Sequence, residues 1–222
     1  NTNDTNIVQQ ATVQYNQKKS ISLGINLLGD YHMAYASVWV CLSDILSYNF
    51  FKKECISDWQ NVTLNLALQP WRWTMFAWIH NSIIIDSTYN ASPRSVAHII
   101  HSTQDRKDQM HPTYKILYVL GDMRELGWEE KQAHEYIASI LLEQNAAALL
   151  VWDSMKNIVM PYLQAHWYGT LSHVQRFPNY EALWQYLQAY LLQNNSAPHI
   201  VVCKGSQNTI FLEEAIKYVI AD

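Results

Sequence analysis

Glycine is scarce in this chain: six occur in 222 residues, where ordinary usage of roughly 7% would give about fifteen. A glycine that survives at such low frequency marks a place where the backbone needs its freedom. Gly29, Gly121, Gly127 and Gly205 all lie beside polar clusters, whereas even scatter would have spread them out. Cysteine is also sparse. Cys41, Cys55 and Cys203 are odd in number and too widely spaced for a disulfide framework or a zinc site, which fits a reducing compartment and a cytoplasmic location. No basic block exists. With a net charge of -4 and a pI near 6.1, the chain lacks the electrostatic footprint of a nucleic-acid binder, so a small molecule or a protein is the expected partner. No long apolar run exists either. The stretch from Leu64 to Ile85 is interrupted by Arg72 and His80, and the first residues are polar. Neither a membrane span nor a signal peptide is expected.

What is present is an apolar content of 49%, ample for one large domain or two modest ones. Residues 1 to 19 are polar, with a short run from Ala11 to Tyr15 that suits an edge strand. From Ser20 to Leu28, Ile21, Leu23, Ile25 and Leu27 alternate with small or polar residues, the period of a half-buried strand. Tyr35, Val38, Trp39, Leu42, Ile45 and Leu46 then recur at three and four, which predicts an amphipathic helix from about His32 to Ser47 with that stripe inward. A polar break at Asn49 to Lys53 and a weaker helical stretch to about Ala67 follow. Pro70 marks a domain boundary.

Beyond Pro70 the rhythm becomes strand and helix in alternation. Strands are expected at 73–79 and 83–85, with His80 and Asn81 turning between them, then at 115–120, 146–152, near Val174 and at 199–203. Helices are expected at 93–106, 130–144, 154–166, 179–193 and 209–220. That order predicts an α/β fold, a Rossmann-like, mostly parallel sheet with helices on both faces. The apolar runs stop at Asp86, Asp122, Asp153 and Lys204, so four strands deliver ionisable groups to one edge. In open α/β sheets, ligands bind at that edge. Ser92 suits a helix N-cap and Pro93 the first helical position, and such a helix start favours an anion. His98 and His101 share a helical face without an acidic partner nearby, so no metal site is expected.

Three strings carry a resemblance. They are Asp86-Ser-Thr-Tyr-Asn-Ala-Ser-Pro-Arg-Ser95, then Gly121-Asp-Met-Arg-Glu-Leu-Gly127 with His134 seven positions beyond, then Lys204-Gly-Ser206. In this order they resemble the C-terminal part of the Mur ligases, and within that family the branch that adds D-alanyl-D-alanine. Gly29-Asp-Tyr-His32 resembles the family's Gly-x-His-Asn element, and the match spans roughly residues 28 to 220. The resemblance implies two pieces: residues 1–69 as the end of a central ATPase domain, and residues 70–222 as a C-terminal ligase domain.

It further implies an ATP-dependent ligase, using Mg2+ when full-length, that activates a carboxylate as an acyl phosphate for attack by an amine. UDP-MurNAc-tripeptide and D-alanyl-D-alanine would be the partners in peptidoglycan precursor synthesis. On this resemblance His32, Arg72, Asp86, Ser87 and Asn90 serve the nucleotide, with Arg72 approaching its phosphates. Tyr89, Ser92, Asp122, Glu125, His134, Lys204 and Ser206 serve the acceptor peptide. Arginine suits phosphate, and carboxylates hold an ammonium.

The departures are specific. The family's His-Asn-x-x-Asn reads His32-Met33-Ala34-Tyr35-Ala36, and its paired Asp-Asp reads Asp86-Ser87. Losing a hydrogen bond to a charged acceptor, as where Ser87 replaces the second carboxylate, costs roughly 1.5 to 3 kcal/mol. No glycine is followed by lysine anywhere in the chain, so the phosphate-cradling G-x-x-x-x-G-K-[ST] loop is lacking. No complete catalytic set is therefore expected here. The chain would act only with the missing N-terminal ligase portion and would bind no cofactor alone. The alternatives are a non-catalytic binding or scaffold module of the same descent, or a ligase for folate or another amino-acid polymer.

Overall fold

The computed structural model describes residues 9–15, 19–25, 30–52, 61–64, 73–110, 113–167, 174–194 and 196–206. They fall in two compact units, Asn1–Leu68 and Gln69–Asp222.

In the first unit, β1 (Gln9–Tyr15) pairs antiparallel with β2 (Lys19–Ile25), which pairs in parallel with β3 (Asn61–Leu64). Helix α1 (Asp30–Phe51) packs on β1 and β2. Residues 61–64 were expected in a weakly helical stretch and form a strand instead. Val62 and Thr63 are β-branched and fit a pleated sheet better than a helix, and β2 offers them a partner edge. The helix also runs through the polar break at Asn49 to its end at Phe51.

The expected inward face of α1 is its outward face. Tyr35, Val38, Trp39, Leu42, Ile45 and Leu46 are exposed, Trp39 to 67%, whereas Ala36, Val40 and Asp44 are buried at a spacing of four. The helix meets its sheet through the small residues, which let it approach closely. The large ones remain outside.

In the second unit, β4 (Thr74–Ala77) and β5 (Ile83–Ser87) form a hairpin. His80 and Asn81 turn it in left-handed conformation, with φ of 54° and 59°. Then follow α2 (Pro93–Met110), β6 (Lys115–Leu120), α3 (Glu130–Glu143), β7 (Ala148–Val151), α4 (Met160–His166), β8 (Val174–Phe177), α5 (Tyr180–Gln193) and β9 (His199–Lys204). The sheet order is β4-β5-β9-β6-β7-β8, and every pair beyond the hairpin is parallel. The expected helix at 209–220 lies outside the described residues.

The central strands are buried on both faces because successive residues enter opposite cores. Ile85, Tyr118, Leu120, Ala148, Leu150, Ile200 and Val202 join the core that α2, α3 and α4 cover. Ile84, Leu117, Val119, Leu149, Val151, Val201 and Cys203 join the core under α5, whose Leu183, Leu187 and Leu191 complete it. The architecture is thus an α/β sheet, mostly parallel, with helices on both faces. Its consequence for function is geometric: β5, β9, β6 and β7 are neighbours and parallel, so their C-terminal ends share one edge.

Candidate functional site

Along that edge, pairing sets Asp86 opposite Cys203, Ser87 opposite Lys204 and Leu120 opposite Lys204. The loops after β5, β6 and β9 therefore meet, and their polar residues lace them together.

The loop after β5 is built around Asp86, which is fully buried. Its Oδ1 accepts from the Thr88 backbone N–H at 3.0 Å and from the Thr88 hydroxyl at 2.7 Å, a local turn that suits aspartate. The buried Lys204 ammonium donates to the carbonyls of Ser87, at 3.1 Å, and Asn90. A charge from β9 thus staples the loop after β5. The Asn90 side-chain amide oxygen folds back to accept from the Ala91 N–H at 2.8 Å. Ser92 caps α2 as its sequence foretold: the Ser95 N–H donates to the Ser92 hydroxyl and the Ser92 N–H to the Ser95 hydroxyl, a reciprocal box.

The loop after β6 is held even more closely. The Gly121 N–H donates to the Lys204 carbonyl at 2.8 Å and the Ser206 N–H to the Asp122 carbonyl at 3.2 Å. The Arg124 N–H donates to the Ser206 hydroxyl at 3.1 Å, and the Met123 N–H to His134 Nε2 at 3.3 Å. The Asp122 carboxylate accepts from the Ser154 and Met155 N–H groups at 3.1 and 3.0 Å. It occupies the start of the π-type turn Met155–Val159 that leads into α4, where free N–H groups favour a negative charge. Nearby, the Ser154 hydroxyl donates to Glu130 Oε1 at 2.5 Å.

Two tiers result. Asp86, Asp122, His134, Lys204 and Ser206 are buried and brace the loops. Tyr89, Asn90, Ser92, Arg124 and Glu125 are exposed above them. Glu125 is held in left-handed conformation at φ 63°, a state that non-glycine residues adopt at a cost and that clusters at functional sites. Ser87 is half-buried between the tiers. Cys203 lies beneath, and burial pushes its thiol well above the usual range, with the nearby Asp86 charge adding to the effect. It is no nucleophile.

The edge therefore gathers Asp86, Ser87, Tyr89, Asn90, Ser92, Asp122, Glu125, His134, Lys204 and Ser206. His32 lies in the first turn of α1, in the other unit. Arg72 lies outside the described residues. Sequence reasoning passed over Arg124, which stands exposed beside Glu125 within the very string that drew attention, and over Ser154, a small polar residue at a helix start just after a strand-ending aspartate. Both had a readable signal.

Residues 71–207 match the model of the Mur ligase, glutamate ligase domain family. The chain belongs to the Mur ligase family. No curated protein matches it in sequence. Among solved structures, the Mur ligase chain is similar to two crystal structures of MurF from Acinetobacter baumannii. Identity is 15% and 16% and the TM-scores are 0.72 and 0.70, over 97% of this chain and 42% and 43% of those. It is also similar to MurF ligase from Thermotoga maritima in complex with ADP, at 15% identity and a TM-score of 0.64, over 96% of this chain and 45% of that one. The Mur ligase chain thus spans less than half the length of these solved structures.

Proposed function

We propose that this chain is the C-terminal portion of an ATP-dependent amide-bond ligase that joins D-alanyl-D-alanine to a UDP-MurNAc-tripeptide in the cytoplasm, working only together with a nucleotide-binding portion. One observation carries the proposal: the family match extends across the laced edge, from before Asp86 to beyond Ser206, and includes the Gly121–Gly127 string. The MurF-like fold supports it. Support for a second polypeptide portion comes from α1, whose exposed row of large apolar residues is more than a solvated helix needs. No helix among the described residues is long and apolar enough to cross a membrane.

In this reaction the terminal phosphoryl group of ATP passes to the tripeptide carboxylate and ADP leaves. The amine nitrogen of the dipeptide then attacks the acyl carbon, the amide bond forms, phosphate departs and the ammonium proton is lost. This chain's part is to receive and orient the incoming dipeptide. A dipeptide zwitterion carries an ammonium and a carboxylate, and the exposed neighbours Arg124 and Glu125 offer the complementary charges on a fixed loop. Among the described residues no group of three His, Cys, Asp or Glu gathers to hold a metal ion.

Reconstitution tests the proposal. Mixing the chain with the P-loop-bearing N-terminal portion of a Mur ligase, UDP-MurNAc-tripeptide and D-alanyl-D-alanine should release ADP from ATP, while the chain alone should release none. Persistent absence of ADP from every such mixture would sink the ligase function. The losses at Met33, Ala36 and Ser87 favour one other function, a binding or scaffold module without turnover. Calorimetry separates the two, because that module would bind neither ADP nor D-alanyl-D-alanine.

A further inference from the structure

His134 lies fully buried in the second turn of α3, and both of its ring nitrogens are engaged. Nε2 accepts from the Met123 N–H at 3.3 Å, so it carries no proton. Nδ1 stands 2.8 Å from the Glu130 carbonyl oxygen, which accepts only, so the proton resides on Nδ1. The ring is thus a neutral imidazole in one tautomer, fixed by its own helix and offering a lone pair to the loop after β6.

That lone pair answers a need. Met123 is buried and its side chain sits in the core under α2 and α3. Its N–H is cut off from water, and a buried N–H without an acceptor is rarely tolerated. Met123 is also the residue at which the loop is anchored before Arg124 and Glu125 emerge into solvent. Release of this amide would loosen the segment between the Asp122 clamp and the left-handed Glu125, leaving the Arg124 N–H on the Ser206 hydroxyl to hold it.

We infer that His134 is a positioning residue: as a neutral Nδ1–H imidazole it accepts the Met123 amide and thereby fixes the presentation of Arg124 and Glu125 at the mouth of the site. It reaches the ligand through the loop, not by contact. The effect on the ligand rests on the ligase function proposed above, whereas the effect on the loop does not.

Three measurements on the full chain test this. The 15N shifts of the His134 ring at neutral pH should report a protonated Nδ1 and an unprotonated Nε2; the opposite tautomer, or a doubly protonated ring, overturns the inference. His134→Leu should speed hydrogen exchange at the Met123 amide by roughly ten- to a hundredfold, the equivalent of an orphaned buried donor, while the Leu120 amide within β6 changes little. His134→Gln, whose side-chain oxygen can still accept, should recover most of the protection. Equal exchange in all three proteins overturns the inference, and so does equal loss of protection at Leu120 and Met123, which marks global unfolding instead. The third measurement is calorimetry with D-alanyl-D-alanine, where His134→Leu should weaken binding about tenfold and His134→Gln should restore it. If the unaltered chain binds no dipeptide, the ligase function fails while the exchange and tautomer results still decide the role of His134.

Discussion

His199 shows how a single residue writes the chemistry of its surroundings into the stability of the molecule. It opens β9, is buried, and stands edge-on to the Tyr190 ring at 5.6 Å. Its backbone N–H donates to the Ser82 hydroxyl, and its Nε2 has no hydrogen-bond partner among the described residues. Burial pushes the imidazole below its ordinary value, the Lys115 charge pushes it further, and a hydrogen bond at Ala197 opposes both. The folded value therefore lies below the unfolded one of about 6.5. As pH falls through about 6.5 the unfolded chain takes up the proton first, so stability is complete above that pH and declines below it until the folded-state value is passed. His199→Phe keeps the ring and removes the proton. In urea titrations the parent should lose stability from near neutrality downward, and the variant should show a shallower decline over the same interval.

The same scale explains what was legible in single residues. Asp86, Asp122 and Lys204 were readable as strand-ending groups on one edge because an apolar run closed by a charge is a local signal. Their tasks were not readable. That Lys204 reaches the Ser87 and Asn90 carbonyls, and that Asp122 reaches Ser154 and Met155, depends on strands that are neighbours only in the folded sheet. Local sequence carries no record of such contacts.

Among the elements, α1 separates periodicity from burial. A stripe at three and four announced the helix correctly, yet the side that turns inward is Ala36, Val40 and Asp44. Amphipathic periodicity reveals that a stretch is helical and carries an apolar stripe; it does not say whether that stripe or a row of smaller residues meets the helix's own sheet. The consequence is measurable. Trp39→Gln and Leu42→Gln, on the outer face, should each change the stability of this chain, measured by urea titration, by no more than about 0.5 kcal/mol. Val40→Ala, on the inner face, should cost about 1.5 to 3 kcal/mol. If the outer face is where the nucleotide-binding portion sits, the two Gln substitutions together should weaken association with that portion in the reconstituted ligase. A large stability loss from Trp39→Gln in the isolated chain would show instead that this face is already engaged.

Strands of the second unit were legible for the opposite reason. Runs such as Ile83–Ile85 and Ile116–Leu120 are apolar throughout because each sits between two helical layers, and a continuous run needs no choice of face. The hairpin turn at His80 and Asn81 was legible because its position between two such runs left little room for anything else. Residues 61–64 were not: four residues whose strand state depends on the β2 edge look, in isolation, like the end of the preceding helical pattern.

At the scale of the whole molecule, the sheet order β4-β5-β9-β6-β7-β8 puts the strand made last, among those described, into the middle. Nothing in β9 itself announces this. His199–Lys204 is an apolar run like its neighbours, and its place between β5 and β6 follows from pairing on both sides over nearly its full length. Without it, the β4–β5 hairpin has no bond to β6, and the buried faces of Ile84, Ile85, Leu117 and Tyr118 lose the strand between them. Long-range contacts of this kind make folding slow and cooperative, because loop closure must precede the contacts that reward it. A chain ending at Pro198 should therefore fail to fold the second unit as one body. By circular dichroism in urea, the complete chain should show a sigmoidal transition carried by this unit, and the shortened chain a broad, shallow change with a low slope. In the complete chain Cys203, buried in the central strand, should resist alkylation until urea unfolds this unit. A steep transition in the shortened chain would mean that β5 and β6 can pair directly, and the central role of β9 in assembling the site edge would then be lost.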